Sequence, residues 1–465
     1  MIEHLRKYLP DQHALYDASP RLMQRAFVNV EAWRRDWFRR HGDYQAEMAL
    51  YNPAWYRSDA QAQAAEQLER LAVVIAAARQ HVPYYRRMLP DLPLRSLADL
   101  QQLPILEKAA IRRDLMAFVR DGASTKEMWL QATSGSTGTP MHYYHDRSTV
   151  RAHYAAADAL LAMHGCVVGE RRVRFSGAYV APYTQTEPPF WIYIDHYRQL
   201  QCSAYHLSPT TYHAYLKAIR EARVIYGTGY ATAWHLLASY LLESGEEPPT
   251  LKAIFTDSEG MNQEQQATTE RAFRCPVFQT YGLGEVHQVS MQCDAGRYHV
   301  LTRSCLAEIL DDHDRPVRPG ETGQVIVTDL TNLVTPFIRY RTGDLATLAP
   351  NPCTCGWQSP SWTEIVGRVD DQLKTPEGRW IGRLSHVTKP GVGIRESQIV
   401  QTAINQVVIR VVPDVHFDGG SMDAVVAAAH RYLGDSMHVS WEVVDALPRT
   451  PSGKLRHVVR LIRDA

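Results

Sequence analysis

Thr133-Ser134-Gly135-Ser136-Thr137-Gly138-Thr139-Pro140 is a run of hydroxyls and glycines with almost no side-chain bulk. Its glycines allow backbone N–H groups to turn inward into an anion-binding concavity, and its serine and threonine hydroxyls add donors for phosphate oxygens. No Gly-Lys-Ser/Thr follows, so this is not a Walker loop and no local lysine reaches a bound polyphosphate. Counter-charge must then come from elsewhere in the chain. Glu127 to Gln131 before the run and Met141 to His145 after it are strand-like, so the loop is expected to join two strands. A backbone nest, not a helix dipole, would face the phosphate. The competing reading of a lone Ser/Gly/Thr run is a flexible surface loop.

The chain has 465 residues, more than one hydrophobic core usually supports, so two or more domains are expected. Lysine plus arginine and aspartate plus glutamate number 50 each, without long blocks of either sign, which argues against nucleic acid or an anionic membrane surface as partner. The amino terminus is charged from the start, and the longest clearly apolar run, Leu71 to Ala78, is too short to cross a bilayer. A soluble cytoplasmic protein is expected. Seven cysteines, an odd number, point to reduced thiols or a metal rather than a disulfide framework.

Working outward from the loop, Asp59 to Gln80 carries helical spacing upstream. Downstream, Val224-Ile225-Tyr226, Ala253-Ile254-Phe255 and Val277-Phe278 alternate with helical stretches at Ala231 to Leu242 and Gln263 to Phe273. That alternation predicts α/β layers. Short strands and Gly/Pro turns follow Gln324, and the pattern changes again after Arg368 into a compact α+β segment with a helix near Met422 to Leu433. The expected division is a large multilayer α/β domain over residues 1–368 and a small mobile α+β domain over 369–465.

Four further segments bear on the loop. Tyr281-Gly282-Leu283-Gly284-Glu285 sets an aromatic face beside a glycine turn and a carboxylate, which suits a purine near magnesium. Tyr340-Arg341-Thr342-Gly343-Asp344 offers an aspartate whose two oxygens can accept both ribose hydroxyls. Gly367-Arg368-Val369-Asp370-Asp371-Gln372-Leu373-Lys374 falls on the inferred boundary. Pro448-Arg449-Thr450-Pro451-Ser452-Gly453-Lys454-Leu455-Arg456 puts a lysine on a glycine turn near the end. Singly, these read as a core tyrosine, a capping aspartate, a linker and a solvated basic tail.

In this order the segments resemble the adenylate-forming superfamily of acyl-CoA ligases, peptide-synthetase adenylation domains and luciferases, from about Leu103 to the carboxyl end. Val82-Pro83-Tyr84-Tyr85, Leu103-Pro104-Ile105-Leu106-Glu107-Lys108, Ile381-Gly382-Arg383-Leu384 and Gly393-Ile394-Arg395-Glu396 resemble the phenylacetate-CoA ligase branch and its capsule-biosynthesis-associated relatives. The resemblance implies that a carboxylate attacks the α-phosphate of ATP, pyrophosphate leaves, and the acyl-adenylate passes its acyl group on, first of all to coenzyme A. It also implies roles. Ser134, Gly135, Ser136, Thr137, Gly138 and Thr139 would cradle phosphates, and Glu285 would hold Mg2+. Tyr281, with Gly282, would stack on adenine beside Ser258, Glu259 and Gly260, while Asp344 with Arg368 would bind ribose. Lys454 would clamp the reacting carboxylate and α-phosphate, and Asp370 would be the hinge that presents the Gly378 face to the thiol. Transfer to an amine or carrier protein is the rival outcome, and a non-catalytic nucleotide-binding protein is the rival of another class. One position departs from the pattern: Gly284 stands where a hydroxyl residue usually precedes the glutamate, which leaves a water in its place or a shifted adenylate.

Cys293, His299, Cys353 and Cys355 match three thiolates and an imidazole around a structural Zn2+, and relatives in this branch carry similar stretches. Cys-x-Cys alone is a weak signal, and ordinary buried cysteines beside a surface histidine are the alternative. For the acyl group, Tyr179 belongs to an aromatic run between Ala178 and Tyr197, and the Tyr226-Gly227-Thr228-Gly229-Tyr230 turn lies where relatives line the acyl pocket, which makes an aromatic acid one candidate. Oligomeric state is not legible.

Overall fold

The computed structural model describes residues 16–133, 141–182, 185–368, 373–376, 380–381, 384, 387–388, 390–449 and 455–462. The strands flanking the hydroxyl-rich run form a hairpin: β1 (Trp129–Ala132) pairs antiparallel with β2 (His142–His145), as the flanks predicted. Beyond it lie β3 (Arg172–Ser176), β4 (Trp191–Ile194), β5 (Gln199–Ser203), β6 (Tyr226–Tyr230), β7 (Ile254–Asp257) and β8 (Val277–Leu283). Then follow β9 (His287–Gln292), β10 (Tyr298–Val300), β11 (Cys305–Leu310), β12 (Thr322–Asp329), β13 (Tyr340–Leu348) and β14 (Ser361–Arg368). The last twelve form one sheet in the order β11-β12-β13-β14-β10-β9-β8-β7-β6-β3-β5-β4. From β8 to β5 the pairing is parallel, and from β8 to β11 it is antiparallel. On the parallel strands β3 and β5 apolar residues (Val173, Phe175, Leu200, Cys202) alternate with polar ones (Arg172, Arg174, Gln199, Gln201) that border a cavity.

The longer helices are α1 (Arg21–Arg40), α2 (Ala60–His81), α3 (Arg147–Met163), α4 (Tyr212–Glu221), α5 (Ala231–Ser244) and α6 (Gln263–Phe273). Both ends of the α5–α6 stretch have local causes. Gly245 adopts φ +66° at the carboxyl end of α5, and Asn262 with Gln265 forms a reciprocal capping box at the start of α6. Helix α2 starts and stops within a residue of its predicted bounds.

After β14 a separate hydrophobic core gathers Leu373, Ile399, Ile409, Val425, Leu433 and Val458. It lies under the sheet β19-β18-β17-β20, built from β17 (Val392–Ala403), β18 (Gln406–Asp418), β19 (His438–Val443) and β20 (Val458–Arg460). Between β14 and this sheet sit β15 (Leu373–Lys374) and β16 (Trp380–Ile381), and α7 (Met422–Leu433) packs on it. The class is α/β with a small α+β carboxyl-terminal unit. No helix among the described residues is long and apolar enough to cross a membrane.

Candidate active site

Parallel strands end on one rim of a sheet, and ligands of open α/β sheets bind in the crevice beyond it. Strands β7 and β8 are neighbours, so Ser258-Glu259-Gly260 after β7 and Tyr281 to Glu285 at the end of β8 meet on that rim. Antiparallel pairing of β13 and β14 sets Asp344 directly opposite Arg368. The Tyr281 hydroxyl donates to Asp344 Oδ2 at 2.8 Å, tying the proposed adenine and ribose residues to each other. Glu285 is 3% exposed, and its Oε1 accepts from the Tyr340 hydroxyl at 2.7 Å. Ser258 has φ +69° and donates to Asp257 Oδ1, while Arg174 grips Asp257 through two nitrogens at 2.7 and 3.1 Å. Glu259 accepts from the backbone N–H and hydroxyl of Thr232 and so caps the first turn of α5.

These groups line one cavity of about 3240 Å³, together with Gly282, Gly284, Leu384, Thr388 and Ile394. It exceeds the roughly 300–1,000 Å³ of a single-ligand pocket, so several ligands can share it. Thr133 and Met141 close the neck of the hydroxyl-rich loop through two 2.9 Å hydrogen bonds, and Thr133 borders the cavity. Leu455, Arg456 and His457 border it from the other side. Ser134, Gly135, Ser136, Thr137, Gly138 and Thr139 lie outside the described residues, as do Asp370, Gly378 and Lys454. For Arg368 the strand position alone is described.

The missing hydroxyl at Gly284 has a spatial counterpart. A Cβ built on Gly284 would lie 2.3 Å from the Tyr143 hydroxyl, so any larger residue there requires the buried Tyr143 side chain to move. Tyr143 projects from β2 and donates to Gln131 Oε1 at 3.1 Å. Burial, then the nearby Glu285 charge, pushes its phenol well above the ordinary range and keeps it a neutral donor. Sequence reading missed Tyr143 because the two positions are 141 residues apart, and neither is unusual alone.

The acyl-pocket expectation needs correction. Tyr226 is fully buried in a core with Tyr56, Phe255 and Phe278, and Tyr230 belongs to the core under α5. At Gly227 an added Cβ would meet the Trp234 ring at 2.3 Å, so this glycine serves helix packing rather than a substrate. Of this turn Thr228 alone borders the cavity, and composition does not reveal that the flanking tyrosines are taken up by two separate cores. Tyr179 does line the cavity, and its hydroxyl donates to Asp17 Oδ2 at 2.6 Å. Polar and apolar groups share the wall at this end: Arg39, Arg174 and Gln201 stand beside Val180, Ile192 and Ile194. The Arg39 guanidinium lies 4.2 Å from the Tyr154 ring centre.

Cys293, His299, Cys353 and Cys355 do come together, with one ligand atom from each within 4.8 Å of all the others. Cys293 Sγ lies 3.6 Å from Cys353 Sγ, and Cys355 Sγ 3.3 Å from His299 Nε2. A tetrahedral ion with bonds of about 2.3 Å to sulfur and about 2.0 Å to nitrogen would set such separations at ~3.8 and ~3.5 Å. The Ser359 hydroxyl, 3.3 Å from His299 Nδ1, orients the ring. The group lies beside the stacked Tyr56 and Trp357 rings.

Residues 373–461 match the family model of the CapK carboxyl-terminal domain. Protein CapK of Staphylococcus aureus is 26% identical over 374 residues, 79% of this chain and 82% of its own. A phenylacetate-coenzyme A ligase of Thermus thermophilus is 25% identical over 66% of this chain and 70% of its own. Among solved structures, 2-hydroxyisobutyryl-CoA ligase in its postadenylation state superimposes with a TM-score of 0.69 at 20% identity, covering 85% of this chain and 89% of that one. The same ligase in its thioesterification state gives 0.54.

Proposed function

We propose that this chain, an adenylate-forming ligase homologous to CapK and the phenylacetate-CoA ligases, activates a carboxylic acid with ATP and passes the acyl group to coenzyme A. The observation that carries the reading is convergence: Tyr281, Glu285, Asp344, the neck of the 134–139 loop and the residues next to Lys454 all face one cavity. In the first step a substrate carboxylate oxygen bonds to the α-phosphorus while the bond to the pyrophosphate oxygen breaks. In the second a thiol sulfur attacks the acyl carbonyl, its proton is released, and AMP leaves. Such chemistry asks for positioning and charge neutralisation rather than a protein nucleophile. Asp344 with Arg368 would hold ribose, and Tyr281, beside Ser258, Glu259 and Gly260, would face adenine. Glu285, oriented by Tyr340, would ligate Mg2+, which neutralises phosphate charge when bound. Lys454 would clamp carboxylate and α-phosphate. We further assign residues 1–368 and 369–465 to the large and small domains, with the hinge at Asp370.

Arg39, Arg174 and Gln201 in the wall can pair with polar substituents of the acid, while Val180, Ile192 and Ile194 offer an apolar flank for its carbon skeleton. The test is pyrophosphate release across hydroxylated, amino-substituted and aryl acids, with and without coenzyme A, comparing wild type with Lys454→Ala. The variant is expected to bind ATP nearly normally yet release no pyrophosphate, because the lysine engages charge that develops during transfer. Normal release by the variant would remove the central assignment. Adenylate without thioester would point to an amine or carrier-protein acceptor, and ATP binding without turnover on any acid to a non-catalytic role.

A further inference from the structure

Outside the adenylating groups and the cysteine cluster, three histidines from distant parts of the chain gather behind the Glu285 turn. His145 ends β2, His153 lies in α3 and His287 opens β9. One nitrogen from each lies within 4.8 Å of the other two. His145 and His153 are 0% and 3% exposed. The hydrogen bonds already present fix which nitrogen of the first two rings is available. His145 Nε2 lies 3.0 Å from the Glu285 backbone carbonyl, so it carries the proton and donates. His153 Nε2 lies 3.0 Å from the Thr331 hydroxyl oxygen, which itself donates to Asp329, and 3.6 Å from Asp329 Oδ2. The proton is therefore on Nε2 here as well. Each ring is left with an Nδ1 lone pair, and both Nδ1 atoms and His287 Nε2 are buried with no hydrogen-bond partner among the described residues.

Histidines that bind metals have this arrangement: the distal N–H is held by a carbonyl, hydroxyl or carboxylate, and the proximal lone pair is left for the ion. Single buried ring nitrogens without a partner also occur at His164, His235 and His430, but among the described residues only here do three such rings lie within ligand distance of one another, which a shared partner would account for. Ring spacing agrees for two of the three pairs. At about 2.0–2.1 Å per bond, two imidazoles on a tetrahedral ion place their ring centres about 5 Å apart. His145 stands 5.2 Å from His153 and 5.2 Å from His287. His153 and His287 stack at 3.7 Å, so an ion would spread this pair.

We propose that His145, His153 and His287 form a second metal site that takes a divalent transition ion of the zinc, cobalt or nickel class. Three neutral imidazoles suit these borderline ions better than magnesium or calcium, which prefer oxygen. His153 and His287 border the main cavity, so the fourth position faces it and is left to water or an oxygen ligand. Through His145 the ion would brace the backbone of the turn that carries Glu285.

The test counts metal and needs no acyl substrate. Wild-type protein, stripped with chelator, reloaded with Co2+ and desalted, is compared with His287→Asn and His145→Asn by elemental analysis. Asparagine at 287 accepts the φ of +48° found there while removing the imidazole. Each variant is expected to hold one ion per chain fewer than wild type, whether or not the cysteine cluster is loaded. Equal cobalt content in wild type and both folded variants would overturn the site. Anomalous diffraction from cobalt-loaded wild-type crystals decides without any variant: a peak between the three imidazoles is expected, and no peak there overturns the proposal.

Discussion

The Tyr143 hydroxyl and the absent side chain of Gly284 occupy the same few cubic ångströms, so neither position can be changed alone without consequence. Gly284→Ser brings a Cβ against the phenol oxygen and is expected to destabilise the protein by about 1–3 kcal/mol. Tyr143→Phe removes that oxygen and should cost adenylation about tenfold through the lost donor. If the two sites substitute for one another, the double variant should recover most of both losses, read as thermal midpoint and pyrophosphate release. Additive losses would mean that the coincidence in space has no function. Another single-residue effect concerns pH. Burial, then the neighbouring His457, pushes His235 of α5 down to about 4. The folded protein thus keeps this imidazole neutral while the unfolded chain takes up a proton below its ordinary value near 6.5. Stability is complete above that pH and is lost as pH falls from about 6.5 toward 4, by up to about 3 kcal/mol. His235→Gln should flatten denaturant midpoints measured across that window.

At the scale of elements, periodicity found the helices α2, α5, α6 and α7 within a residue or two, because each has a regular apolar stripe or a local stop signal. Strand starts were less legible. Val224 and Ile225 precede β6 rather than open it, since register is set by pairing with β3 and β7 and not by local composition. The cavity-lining stretches Ser258 to Gly260 after β7 and Tyr281 to Glu285 at the end of β8 were legible as short polar or glycine-bearing interruptions at strand ends. Tyr226 and Gly227 were misread for the same reason, because a buried strand and a substrate wall have similar composition. The histidine cluster left no local trace: its members come from three elements that only the fold joins. The cysteine cluster did leave one. Cys353→Ser with Cys355→Ser is expected to remove one zinc per chain and to lower thermal stability, while kcat per folded molecule changes little, because four protein ligands leave no open position for a substrate. Retention of that zinc by the double variant would reject the thiolate site.

For the whole molecule, the small carboxyl-terminal unit meets the large domain through a discrete ion pair. Arg395 of β17 contacts both carboxylate oxygens of Glu243 in α5 at 3.1 and 3.0 Å, with its guanidinium 4.7 Å from the Tyr240 ring centre. Both charges are largely shielded, with side-chain exposures of 9% and 19%. One guanidinium nitrogen makes both contacts, so the pair is not a two-nitrogen fork, and its loss is worth on the order of 1 kcal/mol. If the small domain turns about Asp370 between half-reactions, Arg395 and Glu243 must part on every cycle. Glu243→Gln weakens the contact without a large change in volume, so it should favour the transfer arrangement by about tenfold. Asp370→Pro should act in the opposite direction, because a fixed φ and a restricted preceding residue impede rotation. Pyrophosphate exchange and thioester formation, measured separately, give the ratio that decides. Glu243→Gln should raise transfer relative to adenylation, and Asp370→Pro should lower it by at least about tenfold, on the order of 1.4 kcal/mol in barrier. Parallel changes in both half-reactions, for either variant, would mean that chemistry at the cavity and rotation of the small domain are not coupled through this contact.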